Sequence, residues 1–297
     1  MEIEQTHALV GIGQVFFVDS SDRILTAEST ADGSEFSLVD FESEDELWLI
    51  EEPVDALPLI RVGYDRIAYP ARGRFGGDRI EVRRIADFEL SAHFGAGVVT
   101  AMAADPDGRT IAAADDQGAV VLWESATGTL VRRVIETKNA VEQLAFSADG
   151  CWIAVRDIEC KVLINRIDAS TDQAAILGTN DGTAIVFHPQ KLELVVDIGN
   201  SLAIYDVEAG QQTRVLDRVD GDNLMASELC FSPDGALLLA GSFGDGALDI
   251  WEFNSGKYLG RIGTLGDHVF SLNFHAEGNH FAACRHDAGA IFEIERD

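Results

Sequence analysis

Seven arginines lie in one short segment of the chain, residues 61–84, and their chemistry suits the binding of an anion. Only three acidic residues share that segment, so it carries a net charge of +4 in a chain whose net charge is −29. Arg72, Arg74 and Phe75 lie in its Gly-rich part. A guanidinium presents a planar fork of N–H donors that matches a carboxylate or a phosphate. The segment predicts either an anion-binding loop or arginines that pair with nearby acids, notably the eight of residues 40–55.

No residue pattern indicates a catalytic centre or a metal site. His275 and His280 are five residues apart across a predicted turn, with no third ligand nearby, so zinc is not expected. The chain has no G-x-x-x-x-G-K-[ST] or G-x-S-x-G motif, and Gly11-Ile12-Gly13 precedes a predicted strand, which argues against a nucleotide fingerprint. The four cysteines form no C-x-x-C pair, which favours buried, unpaired thiols. We therefore expect no cofactor and no catalytic residue.

The composition restricts the possible partners and the compartment. A net charge of −29 repels nucleic acid, so direct nucleic-acid binding is not expected. The N-terminus is acidic where a secretory signal is basic, and no apolar run reaches the length of a membrane span. These features predict a soluble, cytoplasmic protein. The excess of acids and the scarcity of lysine, 4 against 18 arginines, are typical of proteins from salt-loving organisms or of a GC-rich host.

A turn motif that recurs every 41 to 44 residues organises the chain. Its five copies are Asp105-Pro106-Asp107-Gly108, Ser147-Ala148-Asp149-Gly150, His188-Pro189-Gln190, Ser232-Pro233-Asp234-Gly235 and His275-Ala276-Glu277-Gly278. A short apolar strand is predicted before each turn, and further short strands separated by polar turns are predicted after it. Four short strands within about 42 residues, with no helical periodicity, are typical of one blade of a β-propeller.

These repeats resemble the WD40 family over the whole chain, strongly from about residue 97 and weakly from 14 to 96. Trp123-Glu124, Tyr205-Asp206 and Trp251-Glu252 stand where the family has its Trp-Asp pair, and the family's Gly-His pair is missing. The resemblance implies an all-β, seven-bladed propeller of four antiparallel strands per blade, with Trp123, Tyr205 and Trp251 as structural residues. Asp116, Asp245 and Asp287 match the family's turn aspartate, whose carboxylate accepts backbone N–H bonds.

We expect a single propeller domain over residues 1–297, because the length divided by the period is close to seven. The predicted blades are, approximately, residues 14–55, 56–96, 97–138, 139–181, 182–224, 225–266, and 267–297 plus 5–13. The last unit stops after its third strand, and residues 8–12 look like an unpaired fourth strand. The N-terminal strand is therefore predicted to complete the last blade and close the ring, which removes an exposed sheet edge.

In such a ring, the loops between the second and third strands share a face with the inter-blade connections, and the resemblance implies that partners bind there. Three of these predicted loops supply the candidate partner-binding residues, which are Arg72, Arg74, Phe75, Arg156, Arg285 and His286. His286 would be a pH-sensitive contact. The alternative is that these residues are surface turn residues without a role in binding.

The resemblance implies a non-catalytic scaffold or adaptor subunit that binds one or more proteins or peptides on the propeller face or at the channel mouth. One alternative is a propeller enzyme of the hydrolase, lactonase or quinone-dependent dehydrogenase type, which would need convergent carboxylates, histidines or a metal in the channel. A second is a small-molecule or phosphate sensor that uses Arg72 and Arg74. The fold by itself does not decide between them.

Overall fold

Each blade is an antiparallel meander of four short strands, as the alternation of apolar segments and polar turns predicts. The structure, a computed structural model, describes residues 1–10, 13–18, 21–52, 58–71, 79–95, 97–170, 175–179, 182–217, 225–264, 266, 268–285 and 288–295. These residues form 28 strands in seven four-stranded sheets, and the sheets are the blades of a ring. The prediction of a seven-bladed, all-β propeller is confirmed.

The strands of each blade run from the central channel to the outer surface. Blades one to three consist of β2 (Gln14–Phe17), β3 (Arg23–Ser29), β4 (Ser34–Asp40), β5 (Asp45–Glu52); β6 (Ile60–Val62), β7 (Arg66–Ala71), β8 (Arg79–Arg84), β9 (Leu90–Gly95); and β10 (Val99–Ala104), β11 (Thr110–Asp115), β12 (Ala119–Glu124), β13 (Leu130–Glu136). Blades four and five consist of β14 (Val141–Phe146), β15 (Trp152–Asp157), β16 (Lys161–Arg166), β17 (Ala175–Thr179); and β18 (Ile185–Phe187), β19 (Glu193–Asp197), β20 (Ser201–Asp206), β21 (Gln211–Asp217). Blades six and seven consist of β22 (Ala226–Phe231), β23 (Leu237–Ser242), β24 (Ala247–Glu252), β25 (Lys257–Thr264); and β26 (Ser271–Phe274), β27 (His280–Cys284), β28 (Ala288–Glu295), β1 (Glu2–Val10).

The N-terminal strand β1 supplies the outer strand of blade seven. It pairs antiparallel with β28 along its whole length, from Glu2 opposite Glu295 to Val10 opposite Ala288. The strand therefore begins earlier than residues 5–13, because β28 extends to Glu295 and pairs with β1 from Glu2 onward, with one bulge between Gln5 and His7. Both ends of the described chain are thereby held in one sheet.

Hydrophobic clusters lie between neighbouring blades, and among the described residues there is one for each of the seven interfaces. The interface between blades seven and one packs Phe17 and Ile24 against Ala282 and Ile291, so the ring closes through apolar contact as well as through β1. Burial of this kind stabilises by about 25 cal/mol per Å² of apolar surface. The blade-to-blade interfaces therefore form the core of the domain.

Polar side chains on the innermost strands connect successive blades where the family's Gly-His pair is missing. The Gln14 Oε1 atom of blade one accepts the Leu59 N–H of blade two at 2.6 Å, and Gln143 Oε1 of blade four accepts the Ile185 N–H of blade five at 2.8 Å. The Ser271 hydroxyl of blade seven accepts the Val15 N–H of blade one at 3.3 Å. Each bond satisfies a backbone donor that would otherwise be buried next to the channel.

The turn between the first and second strands depends on an acceptor at its first residue. Asp105 accepts the Arg109 N–H at 2.7 Å, and the Ser147 hydroxyl accepts the Trp152 N–H at 2.9 Å. In blade five the acceptor is His188 Nδ1, which takes two backbone N–H bonds at 3.0 Å each. Aspartate, serine and histidine thus do the same local work, which explains why the recurring motif tolerates all three.

Every element that the structure describes is a strand, and these residues include no helix long and apolar enough to cross a membrane.

Candidate binding site at the channel mouth

The innermost strands surround a cavity of about 240 Å³ at the axis of the ring. Its described lining includes two acidic residues, Glu142 and Glu228, and no lysine, arginine or histidine. The other lining residues are Gln14, Phe16, Pro58, Leu59, Ile60, Ala101, Met102, Gln143, Leu144, Phe270, Ser271, Leu272 and Asn273. The volume corresponds to roughly eight waters, which suits one extended side chain rather than an element of secondary structure.

Glu142 presents a carboxylate to this cavity from the start of β14. Arg156, at the end of the neighbouring strand β15, binds it with an Nη2–Oε2 distance of 2.7 Å. The arginine side chain is only 7% exposed, whereas that of Glu142 is 50% exposed. Arg156 therefore supports the carboxylate from behind, and the carboxylate remains open on its other side. Arg156 Nε is buried without a hydrogen-bond partner among the residues that the structure describes.

Glu228 is the second acid of the cavity, and it lies on β22 of blade six. Its environment is low in water, and burial raises the pKa of its carboxyl to about 8. A backbone hydrogen bond from Leu229 and the positive charge of Arg156 act in the opposite direction without cancelling the rise. At neutral pH this carboxyl is therefore mostly protonated, and a cation brought close to it would favour its ionised form.

Aromatic side chains border the mouth of the cavity on the face of the β23–β24 loop. Phe243 and Phe270 are 47% and 40% exposed. His268 lies between them, with its ring centroid 4.8 Å from that of Phe243 and 4.1 Å from that of Phe270. We call these three residues the aromatic rim. Phe270 also lines the cavity, so the exposed apolar surface continues into the charged channel.

Backbone hydrogen bonds show which face carries the aromatic rim. The Phe243 N–H donates to Met225 O, just before β22, and the Val269 N–H donates to Ser242 O, at the end of β23. The loops between second and third strands therefore lie beside the starts of the innermost strands. Ile158, 53% exposed in the corresponding loop of blade four, lies on the same face.

The aspartates that hold these loops are not all the ones expected from the sequence. In blade three, Asp115 Oδ1 accepts the Gln117 and Ala119 N–H groups at 3.0 and 2.8 Å, whereas Asp116 accepts a bond from the Gln117 side-chain amide at 3.3 Å. The expectation for Asp116 is corrected, because the last residue of β11 lies closer to the amides of the turn. Asp245 does accept a backbone bond, from Ala247 at 3.1 Å.

Blade four repeats the arrangement of blade three. Asp157 Oδ1 accepts the Glu159 and Lys161 N–H groups at 3.0 Å each. Cys160 then occupies the place of Gly118 and adopts a φ of +58°, a left-handed conformation that is costly for a residue with a side chain. Its sulfur lies 4.0 Å from Arg156 Nη1. The loop thus fixes the position of Arg156 behind Glu142.

The arginines of residues 61–84 that the structure describes are engaged within the protein. Arg79 and Arg83 bind Glu81, which is 2% exposed and also accepts the Tyr69 hydroxyl. Burial acts to raise the pKa of Glu81, but hydrogen bonds from Arg79 and Arg83 hold it below its usual value. Arg83 also binds Glu52 of blade one at 3.0 Å.

Three further arginines of this segment bind the chain itself. Arg61 donates to Phe17 O of blade one, and Arg66 donates to Gly108 O of blade three. Arg84 binds Asp87 and Glu89 on the surface. Among the five described arginines, the positive charge of blade two therefore serves internal contacts.

Several predicted site residues fall outside the described residues, namely Arg72, Arg74, Phe75, His286 and Asp287. Arg156 is near the channel, but neither it nor Arg285 belongs to the described lining of the cavity. The Arg285 guanidinium lies beside Gly266, at the top of blades six and seven. The structure therefore does not bring the described candidates Arg156 and Arg285 together in the channel.

The predicted structural residues Trp123, Tyr205 and Trp251 take equivalent positions in their blades. Trp251 is fully buried and donates its Nε1–H to Asp217 O of blade five at 3.3 Å. Tyr205 is buried in the interface between blades four and five, and Trp123 is half-buried and stacks on Phe94 of blade two. All three lie at the interface with the preceding blade.

The described histidines and cysteines form no metal centre. His275 and His280 meet edge to face, and no group of three or more His, Cys, Asp or Glu side chains in the described ranges is placed to hold a metal ion. All four cysteines are free, and Cys151 is exposed rather than buried as the sequence led us to expect.

Sequence reasoning missed the residues that do line the channel mouth, Glu142, Glu228 and the aromatic rim. A weak signal was present, because Glu142 and Glu228 are charged residues inside apolar first-strand patterns. Such a residue must either face a channel or be paired. Phe243 stands in a loop otherwise made of glycine and aspartate, which offers it no apolar neighbour within the loop itself.

Comparisons with known proteins agree with this architecture. The family model described as WD domain, G-beta repeat matches residues 86–124 and 221–252, segments that contain β9 to β12 and β22 to β24. An uncharacterized WD repeat-containing protein of Synechocystis sp. (strain ATCC 27184 / PCC 6803 / Kazusa) is 27% identical over 160 residues, which are 50% of this chain and 42% of that protein. The matched part is thus less than half the length of that relative. Together with the ring of seven four-stranded blades, these matches support a WD40-type β-propeller.

Proposed function

We propose that this propeller is a non-catalytic interaction platform that holds a protein or peptide partner at the channel mouth. The observation that carries the proposal is the aromatic rim, because it exposes two phenylalanines on either side of His268, and one of them, Phe270, also lines the cavity. Clustered exposed aromatic side chains are typical of binding surfaces, where their burial supplies much of the affinity. A partner that covers Phe243 and Phe270 would also seal the channel.

The rigidity of the ring supports the same proposal. The rim residues lie on short connections between strands whose backbone is held by hydrogen bonds, such as Phe270 N–H to Cys284 O at 2.8 Å. Side chains on such a frame lose little conformational freedom when a partner binds. We further propose a cytoplasmic location and partners that are proteins rather than nucleic acids, since the net charge of −29 opposes nucleic-acid binding.

The cavity offers little support for catalysis. Its described lining brings together two carboxyl groups and no histidine, fewer than the three or more convergent acids or histidines that would lead us to propose a propeller enzyme. A sensor based on Arg72 and Arg74 would depend on residues 72–78, which lie outside the described residues. The interaction platform is therefore the function that the described geometry favours.

The experiment compares affinity-tagged proteins as baits in extract of the native host. Phe243→Ser/Phe270→Ser removes the two phenylalanines of the rim. The matched control, Leu130→Ser/Val131→Ser, removes two apolar residues of the outer strand β13 that are at least as exposed as the rim phenylalanines (55% and 54%). We expect a stoichiometric partner with wild type and the control, and its loss with the rim variant. Retention by the rim variant would contradict the proposal. If Arg72→Glu/Arg74→Glu alone loses the partner, the contact lies on residues 72–78 instead.

A further inference from the structure

The two channel acids differ in how they are supported, and the difference indicates what charge the channel accepts. Glu142 is held from behind by Arg156, whose side chain does not line the cavity, so the cavity itself meets carboxylate oxygen rather than guanidinium. Glu228 adds a second carboxyl from β22 of blade six. No described lining residue carries a positive charge. The electrostatic preference of the cavity is therefore for a cation.

The position of Glu228 makes it different from its counterparts in other blades. The equivalent positions of blades one, four and seven hold Gln14, Gln143 and Ser271, and each of those side chains accepts an N–H of the next blade. A neutral side chain performs that connecting role without the cost of burying a charge. An acid at this position is explained if its carboxylate meets a cation that arrives with a partner.

The aromatic rim limits the kind of cation. A metal ion or a small amine would use the carboxyl groups and leave Phe243 and Phe270 exposed. A peptide with a basic side chain next to an apolar one would use both surfaces, because Phe270 belongs to the rim and to the cavity lining. A cavity of about 240 Å³ admits a lysine or arginine side chain but not an α-helix, whose diameter is about 10–12 Å.

We propose that the channel mouth binds an extended, basic segment of a partner protein, whose lysine or arginine side chain enters the cavity beside Glu142 and Glu228 while a neighbouring apolar side chain lies on the aromatic rim. This inference rests on the proposed function, since it names the partner chemistry of the same surface. The acidic character of the whole chain, with a net charge of −29, steers such a segment toward it.

Binding of this kind is coupled to the proton on Glu228. Because its pKa is about 8, the carboxyl must lose a proton to pair with the incoming cation, so the segment binds more tightly as the pH rises from 6 to 8. The other charged or titratable groups around Glu228 are Arg156 on β15, Glu142 on β14, and Cys230 on β22, whose thiol is buried with a pKa raised to about 12. A thiol of that kind does not titrate in this range.

The test selects a phage-displayed library of random nonapeptides on immobilised wild-type protein at low salt. We expect enriched sequences with arginine or lysine next to an aromatic or aliphatic residue. One enriched peptide that lacks histidine is then synthesised, and its affinity is measured by calorimetry at pH 6.0, 7.0 and 8.0. For wild type we expect at least a fivefold gain in affinity across this range and net release of protons.

The variants separate the possible outcomes. Glu142→Gln/Glu228→Gln should weaken the peptide at least tenfold, and Glu228→Gln should remove the pH dependence. Asp116→Asn/Glu159→Gln, which removes two exposed carboxylates from the same face, should leave the affinity unchanged. Enrichment of neutral or acidic peptides that need Phe243 and Phe270 would overturn this inference and leave the proposed function intact. Peptides that bind Phe243→Ser/Phe270→Ser equally well, or no enrichment at all, would count against both.

Discussion

Blade two and the channel mouth both contain clustered charged residues, but those of blade two are paired within the protein, whereas those of the channel mouth line a cavity. Blade two has many arginines, and each of the five described ones binds an acid or a backbone carbonyl of the protein. Among the described residues the channel has few charged groups, Glu142 and Glu228 with Arg156 behind the first, yet both carboxyl groups line the cavity. The density of charge in a sequence therefore marks stabilising networks as readily as binding sites. What distinguishes a site is charge that the fold leaves available.

The largest effect that would test this contrast comes from Arg83. Arg83→Met leaves the buried Glu81 with one arginine fewer and removes the link to Glu52 of blade one. Removing one partner of a buried ion pair costs about 3 kcal/mol, so urea denaturation should show a decrease of about that size in the free energy of unfolding. Arg84→Met is the matched control, because its partners Asp87 and Glu89 are exposed, and it should not move the midpoint measurably. A decrease below about 1 kcal/mol for Arg83→Met would break the contrast.

A smaller decrease in the free energy of unfolding is expected when Gln143, an uncharged residue of the channel, is substituted. Gln143→Met preserves the size of the side chain but removes the acceptor of the Ile185 N–H. Ile185 is only 3% exposed, so water cannot readily replace that acceptor. An unsatisfied buried donor costs about 2 kcal/mol, measured again by urea denaturation. Gln211→Met, on the exposed outer strand β21, should have no effect. Equal stability of both variants would mean that the inner-strand bonds do not connect the blades.

At Glu228 we expect the substitution to increase the stability of the fold rather than to decrease it. Its pKa is raised in the folded protein, so the folded state keeps a proton that the unfolded chain releases, and stability falls as the pH rises from about 5 to about 8. Glu228→Gln does not ionise, and its Tm should exceed that of wild type by an amount that grows to several degrees by pH 8 and stays constant above. Differential scanning calorimetry at pH 5, 7 and 9 measures this. Glu159→Gln, an exposed loop residue, controls for the change in net charge, and a lower Tm of Glu228→Gln at pH 9 would show that this acid is structural.

The smallest effect is expected at His188, which holds a turn of blade five and belongs neither to blade two nor to the channel mouth. Burial lowers the pKa of this histidine, so the unfolded chain binds a proton more readily and stability is lost as the pH falls below about 6.5. His188→Asn can still accept the two turn N–H groups but does not titrate. Its stability should therefore fall less than that of wild type between pH 7 and pH 5, as followed by thermal denaturation. The exposed His93→Asn should follow the wild-type curve.

The repeat made the architecture predictable, because the same turn chemistry recurs at Asp105, Ser147 and His188 and requires only a side-chain acceptor for nearby backbone N–H groups. The site was less predictable for a geometric reason. The register of β14 shifts between Val141 and Gln143, and that of β22 shifts between Ala226 and Glu228. Such bulges break the alternation of side chains along a strand, so the pattern does not tell which residues turn toward the axis. The contact between His268 and Phe243 joins residues that are distant in the sequence, so no local sequence pattern predicts it.

The closure of the ring by β1 has a consequence for how the protein is made. Of the described strands, β1 is synthesised first, and it pairs with β28, which is synthesised last. At about 5–20 residues per second, β1 waits on the order of half a minute for its partner. During that time it presents an unpaired edge, and its glutamates at positions 2 and 4 protect such an edge from joining another chain. The charges of β1 thus act before the propeller exists as well as afterwards, when β1 is the outer edge strand of blade seven.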